Sequence, residues 1–569
     1  MKLVLASVFF LEAVLLAPAQ SIPVAASAPA SSTAAAPGSS AILDYIQSTW
    51  TTLTHSMTDC ASLADVKIDA APVLYLPAEL PTPSAVVTMQ QKCKVSVLHL
   101  PRTIQKIGSL NPADLPQQGL LYLPNPYVVP GGQFNEMYGW DSYFIVLGLE
   151  ADHREDLAKG IVDNFLFEIE HYGGILNANR TYYLTRSQPP FLTSMIRAVY
   201  ENPASFPGTA EGRAQKRAWI EHAYTLAEKD YSYWLRPEHA AGHTRLARYY
   251  DYGSGPAPEM SNVSTYYQDV IRWVVDHPSP ASTGFLIKAP EHPDAAEIAR
   301  LKATSCDMSA SELCARAWYG GYRLSRSFYI GDRAMRESGF DPSFRFGPFS
   351  GATEEYAPID LNCLLYRYER DMEHFALLLD MPADAQRWNT RAVARDSAIH
   401  YYLWRPGEGV FDDYNFVHHR SSNYAFIASL YPLWTGVATR NEAKQMVAKL
   451  NLFERPGGFS TSNYRSGLQW DDPYGWAPTN WIAIEGLENT GFRADALRIA
   501  RHFTATIDAG FAAAGTMVEK YNVVAGNAQV NVTAGYKANQ AGFGWTNAVY
   551  LKLRELIRNS TLPSASSDR

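Results

Sequence analysis

Several absences bound what this 569-residue chain can do. Past its first twenty residues no stretch reaches ~18 uninterrupted apolar residues, so no membrane-spanning helix is expected there and stable membrane insertion is excluded. Lys and Arg form no block, and the formal net charge is −8, which leaves no electrostatic footprint for nucleic acid or an anionic membrane. The expected partner is an uncharged small molecule. Cysteine is sparse: the five present show no zinc-site spacing, and the 14 histidines show no His-Glu-x-x-His or comparable cluster, so no metal is indicated. Strand-like alternation is also scarce. What remains plentiful is aromatic: 34 Tyr, 24 Phe and 13 Trp, many in Gly/Pro-rich stretches where a ring could face a sugar.

The amino terminus reads as an export signal over residues 1–19. Lys2 supplies the positive end, Leu3 to Leu16 an apolar stretch interrupted by Glu12, and Ala17-Pro18-Ala19 a small-residue cleavage pattern. An Ala/Ser/Pro-rich leader follows over residues 20–40, with too little apolar surface to order itself. A secreted or periplasmic product is expected. Cysteine order alone leaves connectivity open; the expected pairs are Cys60 with Cys93 and Cys306 with Cys314, leaving Cys363 as a buried thiol.

Residues 41–569 read as one domain dominated by helices. Between Arg154 and Tyr172, Leu157, Ile161, Phe165 and Ile169 recur every fourth residue, with Val162 and Leu166 widening the stripe to a core-facing width. Similar patterns span 41–54, 214–235, 361–379, 383–403, 441–450, 479–487, 494–509 and 546–557. Helix after helix without βαβ alternation predicts an all-α core of stacked helical hairpins, with functional residues on the connecting loops.

One short segment carries the clearest chemistry. Asp341 lies among Phe340, Phe344 and Phe346, with Gly339 and Pro342 restricting its presentation. Partial desolvation would keep such a carboxyl protonated, and Arg345 is expected to oppose that shift. Three further segments share this composition: Pro130 to Phe144, Asn177 to Pro190, and Gln469 to Pro478. Near the end, Glu519-Lys520-Tyr521 precedes a Gly/Ala/Asn-rich stretch and then Gly542-Phe543-Gly544-Trp545-Thr546-Asn547.

Pro-Gly-Gly-x-Phe-x-Glu-x-Tyr-x-Trp-Asp-x-Tyr at 130–143 and Gln-Trp-Asp-x-Pro-x-Gly-Trp-x-Pro at 469–478 resemble the two signatures of the α,α-trehalases, glycoside hydrolase family 37. The likeness extends over roughly residues 120 to 558. It implies an (α/α)6 barrel and an inverting hydrolase without a cofactor. Asp341 would be the general acid and Glu519 the general base, an ionised carboxylate holding a water on the opposite face of the sugar. Gln133, Phe134, Trp140, Asp141, Asn177, Arg186, Gly339, Gln469, Trp470 and Trp545 match positions lining the family's sugar cavity. Three positions depart from the family pattern: Gln133 and Ala257 stand where arginines are usual, and Gly535 stands where a glutamate is usual. The expected function is hydrolysis of α,α-trehalose to two glucose molecules. The alternatives are a different α-linked glucoside, or a catalytically idle sugar-binding barrel.

Overall fold

The computed structural model describes residues 39–64, 71–263, 265–533 and 538–561. The export signal, nearly all of the leader and Gly535 lie outside the described residues.

Twelve helices build the barrel among these residues: α1 Ser39–Leu53, α2 Gly139–Ala151, α3 Glu155–His171, α4 Leu192–Glu201, α5 Ala210–Trp234, α6 Ile359–Leu378, α7 Pro382–Tyr402, α8 Tyr431–Thr435, α9 Arg440–Val447, α10 Ala477–Asn489, α11 Arg493–Ala514 and α12 Gly544–Thr561. Even-numbered helices form the inner ring, in which α2 packs on α4, then α6, α8, α10 and α12 follow in turn, and α12 returns to α2. Helices α1, α3, α5, α7 and α11 pack against this ring. The fold is all-α, as the helix succession predicts, and it is the (α/α)6 barrel that the family resemblance implies.

Inner and outer helices differ in sequence for a physical reason. On α3, Leu157, Ile161, Phe165 and Ile169 are buried as one stripe, while Glu155 and Asp156 occupy the first turn, where the helix dipole favours negative charge. Inner helix α2 instead buries Trp140, Asp141, Tyr143, Phe144, Ile145, Val146 and Leu149, residues from all around its axis. It therefore lacks the amphipathic period, which is why sequence reading assigns 130–144 to a loop although the helix begins at Gly139. Gly148 permits ring closure: a Cβ there would lie 2.4 Å from the Ala548 Cβ on α12.

Between α5 and α6 the chain leaves the barrel and builds a second apolar core from Met260, Tyr266, Tyr267, Val270, Ile271, Phe285, Phe328 and Phe349, among others. A helix at Arg326–Glu337 runs along this core and ends four residues before Asp341. Sequence periodicity misses that helix because it buries Asp332, Arg333, Arg336 and Glu337 beside its apolar residues. The segment before residue 130, in which sequence reading finds only the helix over 41–54, contributes a small parallel sheet with Val73–Leu76 between Ser96–His99 and Leu120–Leu121. Both expected disulfides are present, Cys60–Cys93 and Cys306–Cys314, and Cys363 is free and buried.

Candidate active site

The first turns of three inner helices converge on one cavity of about 490 Å³. Trp140 and Asp141 stand in the first turn of α2, Trp476 caps α10, and Trp545 opens α12. The loop carrying Gln469 and Trp470 enters strand Tyr474–Trp476, whose antiparallel partner is Lys520–Asn522, with Trp476 opposite Lys520. That pairing brings Glu519 to the Trp470 loop.

All twelve residues singled out in sequence line this cavity: Gln133, Phe134, Trp140, Asp141, Asn177, Arg186, Gly339, Asp341, Gln469, Trp470, Glu519 and Trp545. Gln133 is exposed, at the solvent side. The rest of the wall includes Tyr138, Tyr183, Gln188, Glu259, Arg336 and Trp476. Of these, Glu259 and Arg336 carry charge that sequence reading missed. Ala257 does not line the cavity; it is fully buried in the second apolar core, and its backbone N–H donates to the Tyr267 hydroxyl at 2.7 Å. The departure from the family pattern at Ala257 therefore leaves the cavity wall itself unchanged.

The aromatic side of the wall is a connected cluster. Trp470 stacks on Trp476 with ring centroids 3.8 Å apart and planes 6° from parallel. Trp140 lies 5.5 Å from Phe340, 5.8 Å from Trp470 and 5.7 Å from Trp545. Gly339 (φ +75°) approaches this cluster so closely that a Cβ would meet the Trp140 ring at 2.9 Å, and the left-handed backbone independently favours glycine.

The charged side centres on Asp341, whose side chain is 26 % exposed, toward the cavity. Burial raises its pKa to about 7; Arg336 and Arg186 act against the shift, and Glu259 acts with it. Arg345, expected to be the opposing guanidinium, instead pairs with Asp360 and Asp413 at 2.5 and 2.7 Å in a buried cluster away from the cavity. The cation beside Asp341 is Arg336, with its Nη1 3.5 Å from Asp341 Oδ2. Gln469 Nε2 donates to the Asp341 carbonyl, and the Trp470 N–H donates to the Pro342 carbonyl at 3.3 Å, joining the Asp341 loop to the tryptophan loop.

Arg186 is held from three directions. Its Nε donates to Asn177 Oδ1 at 2.7 Å, Nη2 to Glu259 Oε1 at 2.5 Å, and Nη1 to Asp251 Oδ2 at 3.4 Å. Burial pushes the Glu259 pKa up, but Arg186 and Arg336 outweigh it and hold the carboxyl below the usual range, so Glu259 is ionised. Asp141 behaves oppositely: burial, then the nearby Glu519 and Asp341, drive its pKa well above the carboxylate range despite a backbone hydrogen bond. Glu519 is 14 % exposed and accepts a 2.6 Å hydrogen bond from the fully buried Lys520 ammonium, which sits over the Trp476 ring. The Glu519 backbone is fixed by Trp545 Nε1 donating to its carbonyl at 3.1 Å. Among the described residues no cluster of His, Cys, Asp and Glu could hold a metal ion.

The trehalase family model matches residues 45–278 and 322–558. The chain belongs to the trehalase family. Among curated relatives, the cytosolic neutral trehalase of Emericella nidulans is 34% identical over 470 residues, covering 76% of this chain and 58% of the relative. A periplasmic trehalase of Escherichia coli is 33% identical over 458 residues, covering 77% of this chain and 70% of the relative. Among solved structures, the neutral trehalase of Saccharomyces cerevisiae aligns with a TM-score of 0.73 at 30% identity, covering 92% of this chain and 96% of that one. The chain spans little more than half the length of some fungal relatives, 57–58% for three of them. Within the trehalase family match, residues 279–321 stand apart as an unmatched stretch. None of them lines the cavity.

Proposed function

We propose that this protein hydrolyses α,α-trehalose to two glucose molecules with inversion at the attacked carbon. The observation that carries this reading is the pairing, in one tryptophan-lined cavity, of an acid held near pKa 7 at Asp341 with a second carboxylate at Glu519. Asp341 passes its proton to the glycosidic oxygen as the C1–O bond breaks. A water on the opposite face attacks C1 and gives its proton to Glu519, so one glucose leaves as the β-anomer and the other as the α-anomer. The tryptophan faces pack on the C–H surfaces of the sugar, while Asn177, Arg186, Gln188 and Gln469 offer hydrogen bonds to hydroxyls. Among the described residues, Gln469 Oε1 is buried without a partner and is available to a substrate hydroxyl.

Export completes the proposal. Its support is the pair of disulfides together with the signal-like residues 1–19, a combination suited to an oxidising compartment. Among the described residues no helix is long and apolar enough to cross a membrane.

A second reading, a different α-glucoside, draws on Gln133, a neutral and exposed residue on the cavity wall where the family usually has a charged donor. Coupled glucose release across a panel of α-glucosides separates the readings. The expected result is highest kcat/KM on trehalose; a better substrate elsewhere in the panel would replace it. Thermal stabilisation by trehalose without glucose release would instead identify an idle sugar-binding barrel.

A further inference from the structure

Helix Arg326–Glu337 carries a buried ionic chain that the reaction described above does not use. Asp332 and Arg336, one turn apart, face each other along it: Arg336 Nε donates to Asp332 Oδ2 at 3.2 Å and Nη2 to Oδ1 at 3.1 Å. Two tyrosine hydroxyls, Tyr266 at 3.3 Å and Tyr267 at 2.9 Å, donate to the same carboxylate. Asp332 is fully buried and Arg336 nearly so, with the guanidinium lying over the Tyr266 ring at 5.2 Å. A buried carboxylate with four donors is strongly fixed, and the two-pronged contact fixes the plane of the guanidinium in turn. The prong left over, Nη1, points at Asp341 Oδ2.

We infer that Asp332 and Arg336 form a positioning relay that assigns the transferable proton to Oδ1 of Asp341 and stabilises the carboxylate left when that proton departs. A guanidinium has donors and no acceptor, so the oxygen facing it must accept, and the acidic hydrogen resides on the other oxygen. At 3.5 Å the contact is long for a hydrogen bond to a charged group. It therefore contributes little while Asp341 is neutral and more once the carboxylate forms, which is a differential stabilisation of the transition state. Other charges face Asp341 as well: Glu259 from the turn after Pro258, Arg186 from the loop before α4, and Asp141 from α2. Arg336 alone among these cations is hydrogen-bonded to the carboxyl itself.

The inference rests on Asp341 being the acid, and its test separates the two claims. The basic limb of the kcat/KM profile reports the pH at which the acid loses its proton. Removing the cation makes the proton harder to lose, so Arg336→Met should move that limb up by about one pH unit. It should also lower kcat by about ten- to a hundredfold, the effect of losing one hydrogen bond to a charged group, with a smaller change in KM. Arg336→Lys keeps the charge, so the limb should stay close to that of the parent. Because Arg336→Met strands the Asp332 charge, the double variant Asp332→Asn/Arg336→Met guards against misfolding; its limb should also move up. A folded variant lacking Arg336 with an unmoved limb would overturn the relay. If the unmodified protein releases no glucose from trehalose, it is the trehalose assignment that fails. The relay is then read without turnover, by NMR titration of carboxyl-13C-labelled aspartate, with Asp341→Asn identifying the resonance. A higher titration midpoint for Asp341 in Arg336→Met supports the relay, and an unchanged midpoint refutes it.

Discussion

Asp341, Arg336 and Glu259 reach the cavity from the segment between α5 and α6, whereas Trp140, Asp141, Trp545 and Glu519 reach it from the barrel and its closing loops. The segment has its own apolar core and the Cys306–Cys314 disulfide, and it contributes an ionised Glu259, a guanidinium and the proposed acid. The barrel contributes mainly aromatic faces, and its two carboxylates are set differently: Asp141 is buried and driven toward the neutral form, while Glu519 is held by an adjacent ammonium. The difference shows how one cavity can hold several carboxyl groups in different protonation states. A group's neighbours, more than its residue type, decide which charge it carries. It also marks a division of parts, in which the ring of inner helices gives the shape and stacking surfaces and the inserted segment gives the proposed acid.

The largest expected effects test that division from both sides. Asp341→Asn, in the segment, and Glu519→Gln, beside the barrel strand pair, should each lower kcat by about 10²-fold or more with the fold intact, the lower end of acid–base catalysis. Steady-state kinetics with circular dichroism checks both, and near-normal turnover in one of them would remove that residue and its side of the cavity from the mechanism. A smaller effect is expected where the two sides touch. Gly339→Ala forces a Cβ against the Trp140 ring and a side chain into a left-handed backbone, which should cost about 1–3 kcal/mol in denaturant unfolding. Unchanged stability would mean that the segment and the barrel are not held together at this point. The smallest effect concerns the solvent side: Gln133→Arg should raise kcat/KM on trehalose modestly, chiefly through KM. A fall on trehalose with a gain on no other glucoside would show that Gln133 is already suited to the substrate.

The same two regions differ in how far sequence reveals them. Outer helix α3 is legible almost to the residue, and α11 is legible except for its last five residues, because one face is wet and the apolar positions recur with helical period. Inner helix α2 is not, because burial on every side erases the period, and Trp140 and Asp141 read as loop residues although they open a helix. The helix at Arg326–Glu337 was hidden for the opposite reason, since its buried face carries charge. In the site, the motif residues do line one cavity, yet Arg345, close to Asp341 in sequence, belongs to a cluster with Asp360 and Asp413. The signal for the true neighbour was the four-residue spacing of Asp332 and Arg336, one helical turn, just before Asp341. Glu259 had no comparable local signal; only the fold brings it to Arg186, 73 residues away in sequence.

The proposal that Asp341 and Glu519 act as acid and base on opposite faces of one sugar is tested most directly by stereochemistry. A proton NMR time course of trehalose cleavage by fresh enzyme, read before mutarotation equilibrates the products, resolves the anomers as they form. Inversion predicts equal initial amounts of β- and α-glucose, one from each half of the disaccharide. Release of α-glucose alone at early times would contradict the mechanism.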